Sequence, residues 1–188
     1  YGIRKAGLQS PSNVTIVQID AHFDLRNDDS DYNPHPYGML AHSCVMRRAY
    51  DLGYRILSLG IRRYSEEELF FAESHKNIAF FEWGKGCVPA ISEVIDAIKT
   101  DAVYLTVDVD GIDPAYMPAT GTPVGGGLTF EYAFQFCREL ISRKKIIGMD
   151  IVEVAPSTAN LSKMNANDRI TVDNAAQLLY SSLAWMWY

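Results

Sequence analysis

Five short apolar segments, each followed by a loop and a helical pattern, constrain the fold of this chain more than any other feature. They are predicted as strands at residues 14–19, 55–60, 78–82, 103–107 and 145–151. Strands that alternate with helices are joined by crossover connections, which produce parallel sheets with helices on both faces. We therefore predict an α/β fold with three layers, α/β/α, around a mainly parallel sheet.

The segments between and after these strands carry helix signals. The predicted helices include His42–Leu52, one that begins at Ser65, Ala90–Lys99, Phe130–Arg143 and Val172–Trp187. Ser65 and Glu68 have the spacing of a capping box, and Thr129 has the place of an N-cap. The last helix carries apolar residues at helical spacing, namely Leu178, Leu179, Leu183 and Trp187. This spacing predicts packing against the sheet or against a neighbouring subunit.

Two of the predicted strands end in acidic residues. Asp108 and Asp110 follow one strand, and Asp20, His22 and Asp24 follow another, at alternating positions that share one face. Carboxylates crowded at the end of a buried strand repel one another and lose hydration, so they require a compensating cation. Carboxylates with one imidazole suit Mn²⁺ better than Zn²⁺. We predict that both strand ends contribute to one metal cluster.

Length and composition limit the classes of protein to consider. A chain of 188 residues suffices for one α/β domain, so residues 1–188 are predicted to form a single domain. The net charge of -6 and the absence of a Lys/Arg cluster in the sequence argue against nucleic acid as a partner. No apolar run approaches the roughly 18 residues of a membrane span. Cys44, Cys87 and Cys137 lack a CxxC pair, which indicates reduced core thiols in a cytosolic protein.

The first residues of the chain bear on the completeness of the predicted sheet. Tyr1–Gly7 has the pattern of a helix that ends at a glycine. A parallel α/β sheet that starts on a helix lacks the strand before it, which leaves one side of the sheet uncovered. We therefore expect the N-terminal part of the fold to be missing.

The acidic motifs resemble those of the ureohydrolase family, which includes arginase and agmatinase. The similar stretches are Asp20–Asp24, Val107–Pro114 and Pro118–Pro123, and the resemblance extends over nearly the whole chain. It implies an arginase-like fold, a pair of Mn²⁺ ions, and hydrolysis of a small cationic guanidino compound to urea and an amine by a hydroxide that bridges the metals. It further implies a cytoplasmic homo-oligomer, either a trimer or a hexamer.

The resemblance also implies a role for each residue of the acidic motifs. Asp20 and Asp108 would bridge the two ions, and His22 and Asp110 would complete one metal site. Asp24 would serve the other metal site. Asp24 would also accept a hydrogen bond from the hydroxide and later pass the proton to the leaving amine.

Two further segments resemble parts of the family's substrate site. Lys144–Pro156 resembles the segment whose glutamate binds the guanidinium group, which implies that role for Glu153. Leu40–Arg48 resembles the segment with a catalytic histidine, which implies a proton shuttle at His42. Simpler roles stay open, because a glutamate at a strand end can bond to a loop and a histidine at a helix start can cap the helix. Asp113 is interpreted as such a loop-capping residue.

One departure from the family pattern concerns the metal ligands. The family contributes a further histidine from a Gly-Gly-x-His-Ser turn before the first acidic motif, and this chain has no such turn before Asp20. The metal site that holds Asp24 is therefore one ligand short. The chain is either the later portion of a longer protein or a family member with an impaired metal pair.

Within the family, the sequence favours agmatinase over arginase. Arginase has an Asn two positions after the equivalent of Asp24 and a Ser-Gly-Asn turn before the histidine, where this chain has Arg26 and Tyr37–Met39. We therefore predict hydrolysis of agmatine to putrescine and urea, a step of polyamine biosynthesis. Because Arg26 can pair with a carboxylate, arginine or a guanidino acid stays open as the substrate. Outside the enzymes, the alternative is a non-catalytic relative or fragment that acts as an assembly subunit.

Overall fold

The computed structural model describes residues 10–31, 37–84, 86 and 88–187, and five strands of this part form one sheet. The strands are β1 (Val14–Ile19), β2 (Arg55–Ile61), β3 (Ile78–Glu82), β4 (Ala102–Asp108) and β5 (Lys145–Val152). Their order is β3-β2-β1-β4-β5, and every neighbouring pair is parallel. The predicted strands and the parallel sheet are confirmed.

Helices cover both faces of the sheet. In the described residues they are α1 (Val45–Asp51), α2 (Glu66–Ser74), α3 (Ile91–Ala97), α4 (Phe130–Arg143) and α5 (Ala166–Trp187). Alternate strand residues point to opposite faces, so Ile16 packs with α1 and α2 while Val17 packs with α3, α4 and α5. The predicted three-layer α/β/α fold is confirmed.

Two predicted helix starts are confirmed in atomic detail. Ser65 and Glu68 form the capping box of α2, with each side chain bonded to the other residue's backbone. Thr129 caps α4, because its hydroxyl accepts a hydrogen bond of 3.1 Å from the Tyr132 amide. The predicted bounds of α4 match the structure.

Other predicted helix bounds are wrong. Residues 42–44 form a 3₁₀ helix ahead of α1, and α3 ends early because the backbone turns extended at Ile98. α5 begins at Ala166 instead of Val172. The Asp168 amide donates to Asn165 Oδ1 at 3.0 Å, and the Asn165 amide donates to Asp168 Oδ2 at 3.3 Å. This reciprocal pair caps an additional turn and a half of helix.

The apolar face of α5 is only partly covered. Leu178 is fully buried in the core that it shares with the sheet and α4, which agrees with the predicted packing against the sheet. Leu183 and Trp187 keep 47% and 86% of their surface exposed. Within the described residues, the predicted packing against the sheet therefore holds for Leu178, and for Leu179, Leu183 and Trp187 the alternative of a neighbouring subunit stays a prediction.

The remaining sequence predictions concern cysteines, the N-terminus and the membrane. Cys44 and Cys137 are buried and free, as predicted. Cys87 and the helix predicted over Tyr1–Gly7 lie outside the described residues. Among the described helices, none has the length and apolar character needed to span a bilayer.

The topology brings three strand ends together at one edge of the sheet. β1 and β4 are neighbours with Ile19 opposite Val107, and β4 and β5 are neighbours with Asp108 opposite Val152. The chain proceeds from β1 outward to β3 on one side, and from β4 to β5 on the other. The point between β1 and β4 is therefore the topological switch, where open α/β sheets place their ligands.

Candidate active site

Three predicted metal ligands meet at this switch point. Asp20, His22 and Asp110 each offer a ligand atom, and these atoms lie within 4.8 Å of one another. His22 Nδ1 is 3.1 Å from Asp110 Oδ2 and 3.4 Å from Asp20 Oδ1. Two buried carboxylates and one imidazole at this spacing can hold a divalent cation that favours oxygen ligands.

Hydrogen bonds fix the direction of the Asp110 carboxylate. Its Oδ1 accepts a bond of 3.1 Å from the Ala21 amide, and its Oδ2 accepts one of 2.9 Å from the Thr122 hydroxyl. Gly111 lets the two acidic loops approach, since a Cβ atom there would lie 2.6 Å from the Asp20 nitrogen. The two motifs, far apart in sequence, are thus in direct contact.

The Asp20 carboxylate is held by a buried polar chain that sequence analysis missed. Its Oδ2 accepts a bond of 2.7 Å from Gln18 Nε2, and Gln18 Oε1 accepts one of 2.8 Å from the Ser58 hydroxyl. Both partners are buried inside strands that are mainly apolar. The sequence does contain a signal for these hydrogen bonds, namely a polar residue inside a buried strand, because buried polar groups need partners.

The shifted pKa values of the cluster indicate that its carboxyl groups outnumber the positive charges that could balance them. Burial raises the pKa of Asp20 to about 6, and burial together with the charge of Asp20 raises the pKa of Asp108 to about 9. Burial opposes a charge on His22, but hydrogen bonds to Asp110 and Asp20 outweigh it and raise the pKa to about 10. Near neutral pH, Asp108 and His22 therefore retain protons that a divalent cation would displace on binding.

The other two predicted metal ligands lie beside this trio without joining it. Asp108 Oδ1 accepts a hydrogen bond of 2.9 Å from the Asp110 amide. The Asp24 carboxyl lines a cavity that opens over this edge of the sheet, and burial together with the charge of Asp20 raises its pKa. Their roles as ligands stay predictions.

Backbone strain coincides with two of the predicted site residues. Among the described non-glycine residues, those with positive φ are Asp24, at 53°, and Glu153, at 61°. Such conformations are uncommon outside glycine and concentrate at functional sites. The strain supports a shared site at the ends of β1 and β5.

A cavity of about 760 Å³ opens over this edge of the sheet. Its walls include most of the predicted site residues: His22, Asp24, His42, Asp108, Asp110 and Glu153. Asp20 is buried behind them. A cavity of this size accepts a small organic ligand.

Arg62, a residue without a predicted role, joins the two loops that form the cavity floor. Its guanidinium donates to five backbone carbonyls, those of Gly60, Asp110, Gly111, Val124 and Gly125. Asp113 supports the same loops by accepting bonds from the Gly126 and Gly127 amides, which confirms its loop-capping role. Nothing in the sequence distinguishes Arg62 from Arg63 beside it.

Two other arginines on the cavity wall differ in their surroundings. Arg26 forms ion pairs with Asp29 and Asp31. Arg63 is exposed, and in the described part of the chain no carboxylate lies within ion-pair distance of it. Of the two, Arg63 is therefore the one with an uncompensated charge on the wall.

Comparison with known proteins gives concordant matches. The sequence model of the arginase family matches residues 1–184. An N(1)-aminopropylagmatine ureohydrolase of Synechocystis sp. is 41% identical over 147 residues, which cover 76% of this chain and 45% of the relative. A guanidinobutyrase of Pseudomonas aeruginosa is 35% identical over 167 residues, which cover 82% of this chain and 50% of the relative.

A solved structure agrees with these matches. The crystal structure of the agmatine ureohydrolase of Thermoplasma volcanium superposes with a TM-score of 0.73 and 35% sequence identity. The superposition covers 94% of this chain and 56% of that structure. The chain thus spans about half the length of the relatives it matches.

Proposed function

Because the chain belongs to the arginase family, we propose that it hydrolyses the guanidino group of a small linear compound to urea and an amine, and that agmatine is this compound. The observation that carries the proposal is the arrangement at the switch point. A trio of potential metal ligands, Asp20, His22 and Asp110, adjoins a cavity whose wall includes the strained residues Asp24 and Glu153.

The donor set supports a pair of Mn²⁺ ions. Asp20, His22 and Asp110 would hold one ion, and Asp108 and Asp24 would contribute to the other, with Asp20 and Asp108 shared. When bound, such ions lower the pKa of water and so supply a strong nucleophile near neutral pH. A guanidinium carbon is a poor electrophile because of resonance, so hydrolysis requires that nucleophile.

The remaining side chains bind the substrate and move protons. The Glu153 carboxylate would accept two N–H bonds from the planar guanidinium group and orient its carbon. A carboxylate oxygen of Asp24 would take up a proton and pass it to the leaving amine. His42, exposed on the cavity wall, would exchange that proton with solvent through a ring nitrogen.

Three observations support agmatine as the substrate. Arg26, which could otherwise bind a substrate carboxylate, is already paired with Asp29 and Asp31. The cavity wall also includes the carboxyl group of Glu68, which favours a cationic tail. The proteins of Synechocystis and Thermoplasma carry names that refer to agmatine compounds.

A second candidate is a guanidino acid. It is favoured by the unpaired Arg63 on the cavity wall, which could bind a carboxylate at the far end of the substrate. The similarity to a guanidinobutyrase points in the same direction.

Urea release from three substrates separates these candidates. At equal concentrations we expect agmatine to be hydrolysed about 10-fold faster than 4-guanidinobutyrate or arginine, a difference of about 1.4 kcal/mol in transition-state binding. Arg63→Ala should leave or slightly raise the rate with agmatine, because it removes a like charge. Arg143→Ala, a change at a pair remote from the cavity, is the matched control. If urea is released faster from 4-guanidinobutyrate than from agmatine, and Arg63→Ala abolishes this preference, the substrate is a guanidino acid.

A further inference from the structure

Hydrogen bonds hold the strained backbone at Asp24 on both sides. The Asp24 carbonyl accepts hydrogen bonds of 3.0 and 3.1 Å from the Met46 and Arg47 amides at the start of α1. On the other side, the Leu25 amide donates to Glu68 Oε1 at 3.2 Å. The left-handed conformation of Asp24 thus depends on contacts to two separate helices.

The Glu68 carboxylate is itself rigidly placed. Glu68 is 7% exposed, and its Oε2 accepts bonds of 3.0 Å from both the amide and the hydroxyl of Ser65. The capping box therefore fixes one oxygen of this side chain, while the other oxygen is directed at the loop after β1. A helix cap alone would use only the first of these oxygens.

Leu25 cannot replace this contact with water. Its side chain is fully packed, with 1% exposed, and the bond from its amide to Glu68 is buried. Without Glu68 the amide would be an unpaired buried donor, which is unfavourable. The loop would then relax, and Asp24 would leave a conformation that costs energy to maintain.

We infer that Glu68 is a positioning residue that holds Asp24 in its left-handed conformation and so directs the Asp24 carboxylate into the cavity. The consequence for metal binding rests on the proposed function, in which Asp24 serves the second ion. The contact between Glu68 and the loop does not rest on it.

Three variants separate this role from helix capping and from charge. Glu68→Met keeps side-chain length and helix propensity but removes both acceptors. Glu68→Gln removes the charge but keeps one acceptor for the Leu25 amide. Ser65→Ala removes the cap and leaves the contact between Glu68 and Leu25, so it is the matched control.

The first measurement is hydrogen exchange of the Leu25 amide in metal-free protein. We expect this amide to be protected in the wild type and to exchange about 10-fold faster or more in Glu68→Met. In Glu68→Gln and Ser65→Ala it should change by less than about 3-fold. An unprotected Leu25 amide in the wild type, or equal exchange in Glu68→Met, would overturn the inference whether or not the protein binds metal.

The second measurement is Mn²⁺ binding by equilibrium dialysis. Groups that orient a metal ligand typically contribute about 10- to 100-fold in affinity, so Glu68→Met should weaken binding of the second ion, the one served by Asp24, by that factor. Glu68→Gln should weaken it much less. An equal loss in both variants would mean that Glu68 acts through its charge, and unchanged affinity in Glu68→Met would also contradict the inference. If the wild type binds no Mn²⁺, the proposed function fails, and the exchange result still decides the role of Glu68.

Discussion

Glu153→Gln should lower kcat/KM for agmatine by about 30-fold or more while the Mn²⁺ content of the protein stays near that of the wild type. The substitution keeps the size of the side chain but replaces a charged acceptor pair with one neutral acceptor. A charge-assisted bidentate contact to a guanidinium group is worth roughly 2–4 kcal/mol, and each 1.4 kcal/mol is a factor of ten in rate. Urea assays and metal analysis of the same sample provide the two measurements.

The control for this variant is Glu139→Gln, an exposed substitution on α4 away from the cavity. We expect it to leave both measurements unchanged. If Glu153→Gln loses Mn²⁺ along with activity, Glu153 belongs to the metal ligands rather than to the substrate site. Unchanged turnover would show that Glu153 only bonds to a loop.

Arg62→Ala should destabilise the protein by about 3–5 kcal/mol, the largest effect on stability that we expect from any single substitution of an arginine. The change removes a partly buried guanidinium from five backbone carbonyls in the loops around Asp110 and Val124. Carbonyls left without partners cost about 1–3 kcal/mol each when buried, and water can satisfy only some of them. Urea denaturation at fixed protein concentration measures the free energy of unfolding.

Arg63→Ala is a matched control for stability, because Arg63 is the neighbouring residue and is exposed. Its free energy of unfolding should stay within about 0.5 kcal/mol of the wild type. Arg62→Lys should fall between the two, since an ammonium group has fewer donors and lacks the planar fork. Equal stability of Arg62→Ala and Arg63→Ala would mean that the carbonyl contacts contribute nothing measurable.

The sheet and the acidic centre could be predicted from the sequence because their signals are local. The strands are mainly apolar runs, and the carboxylates of the centre follow β1 and β4 within a few residues. In a parallel sheet all carboxyl ends meet at one edge, so Asp20 and Asp110 had to come close once β1 and β4 were neighbours. The 14 residues of α4 were predictable for the same reason, since its N-cap, Thr129, is adjacent in sequence.

The supporting residues could not be predicted because their partners are distant in the chain. Four of the five carbonyls that Arg62 binds lie 48 to 63 residues away, and a backbone carbonyl has no sequence signature. Glu68 has the sequence signal of a helix cap, and its second contact, to Leu25, lies 43 residues away. The strain at Asp24 is equally invisible, since it results from contacts to two helices rather than from any residue of the loop.

The sequence contains a local signal for the start of α5. Asn165 and Asp168 have the spacing of reciprocal capping, three residues apart, and the structure shows both bonds. The prediction instead started the helix at the apolar periodicity from Val172. Asp168 is further fixed by the amide and hydroxyl of Ser157, a contact that depends on the fold.

The most direct test of the metal centre is equilibrium dialysis of the purified chain against Mn²⁺, with Asp110→Ala beside the wild type. We predict two unequal classes of site in the wild type, because Asp20, His22 and Asp110 converge closely whereas Asp24 and Asp108 lie beside this trio. Asp110→Ala should lose the tighter class, with a fall in affinity of about 100-fold. No binding by the wild type, or equal tight binding by Asp110→Ala, would contradict the assignment of this site as a metal centre.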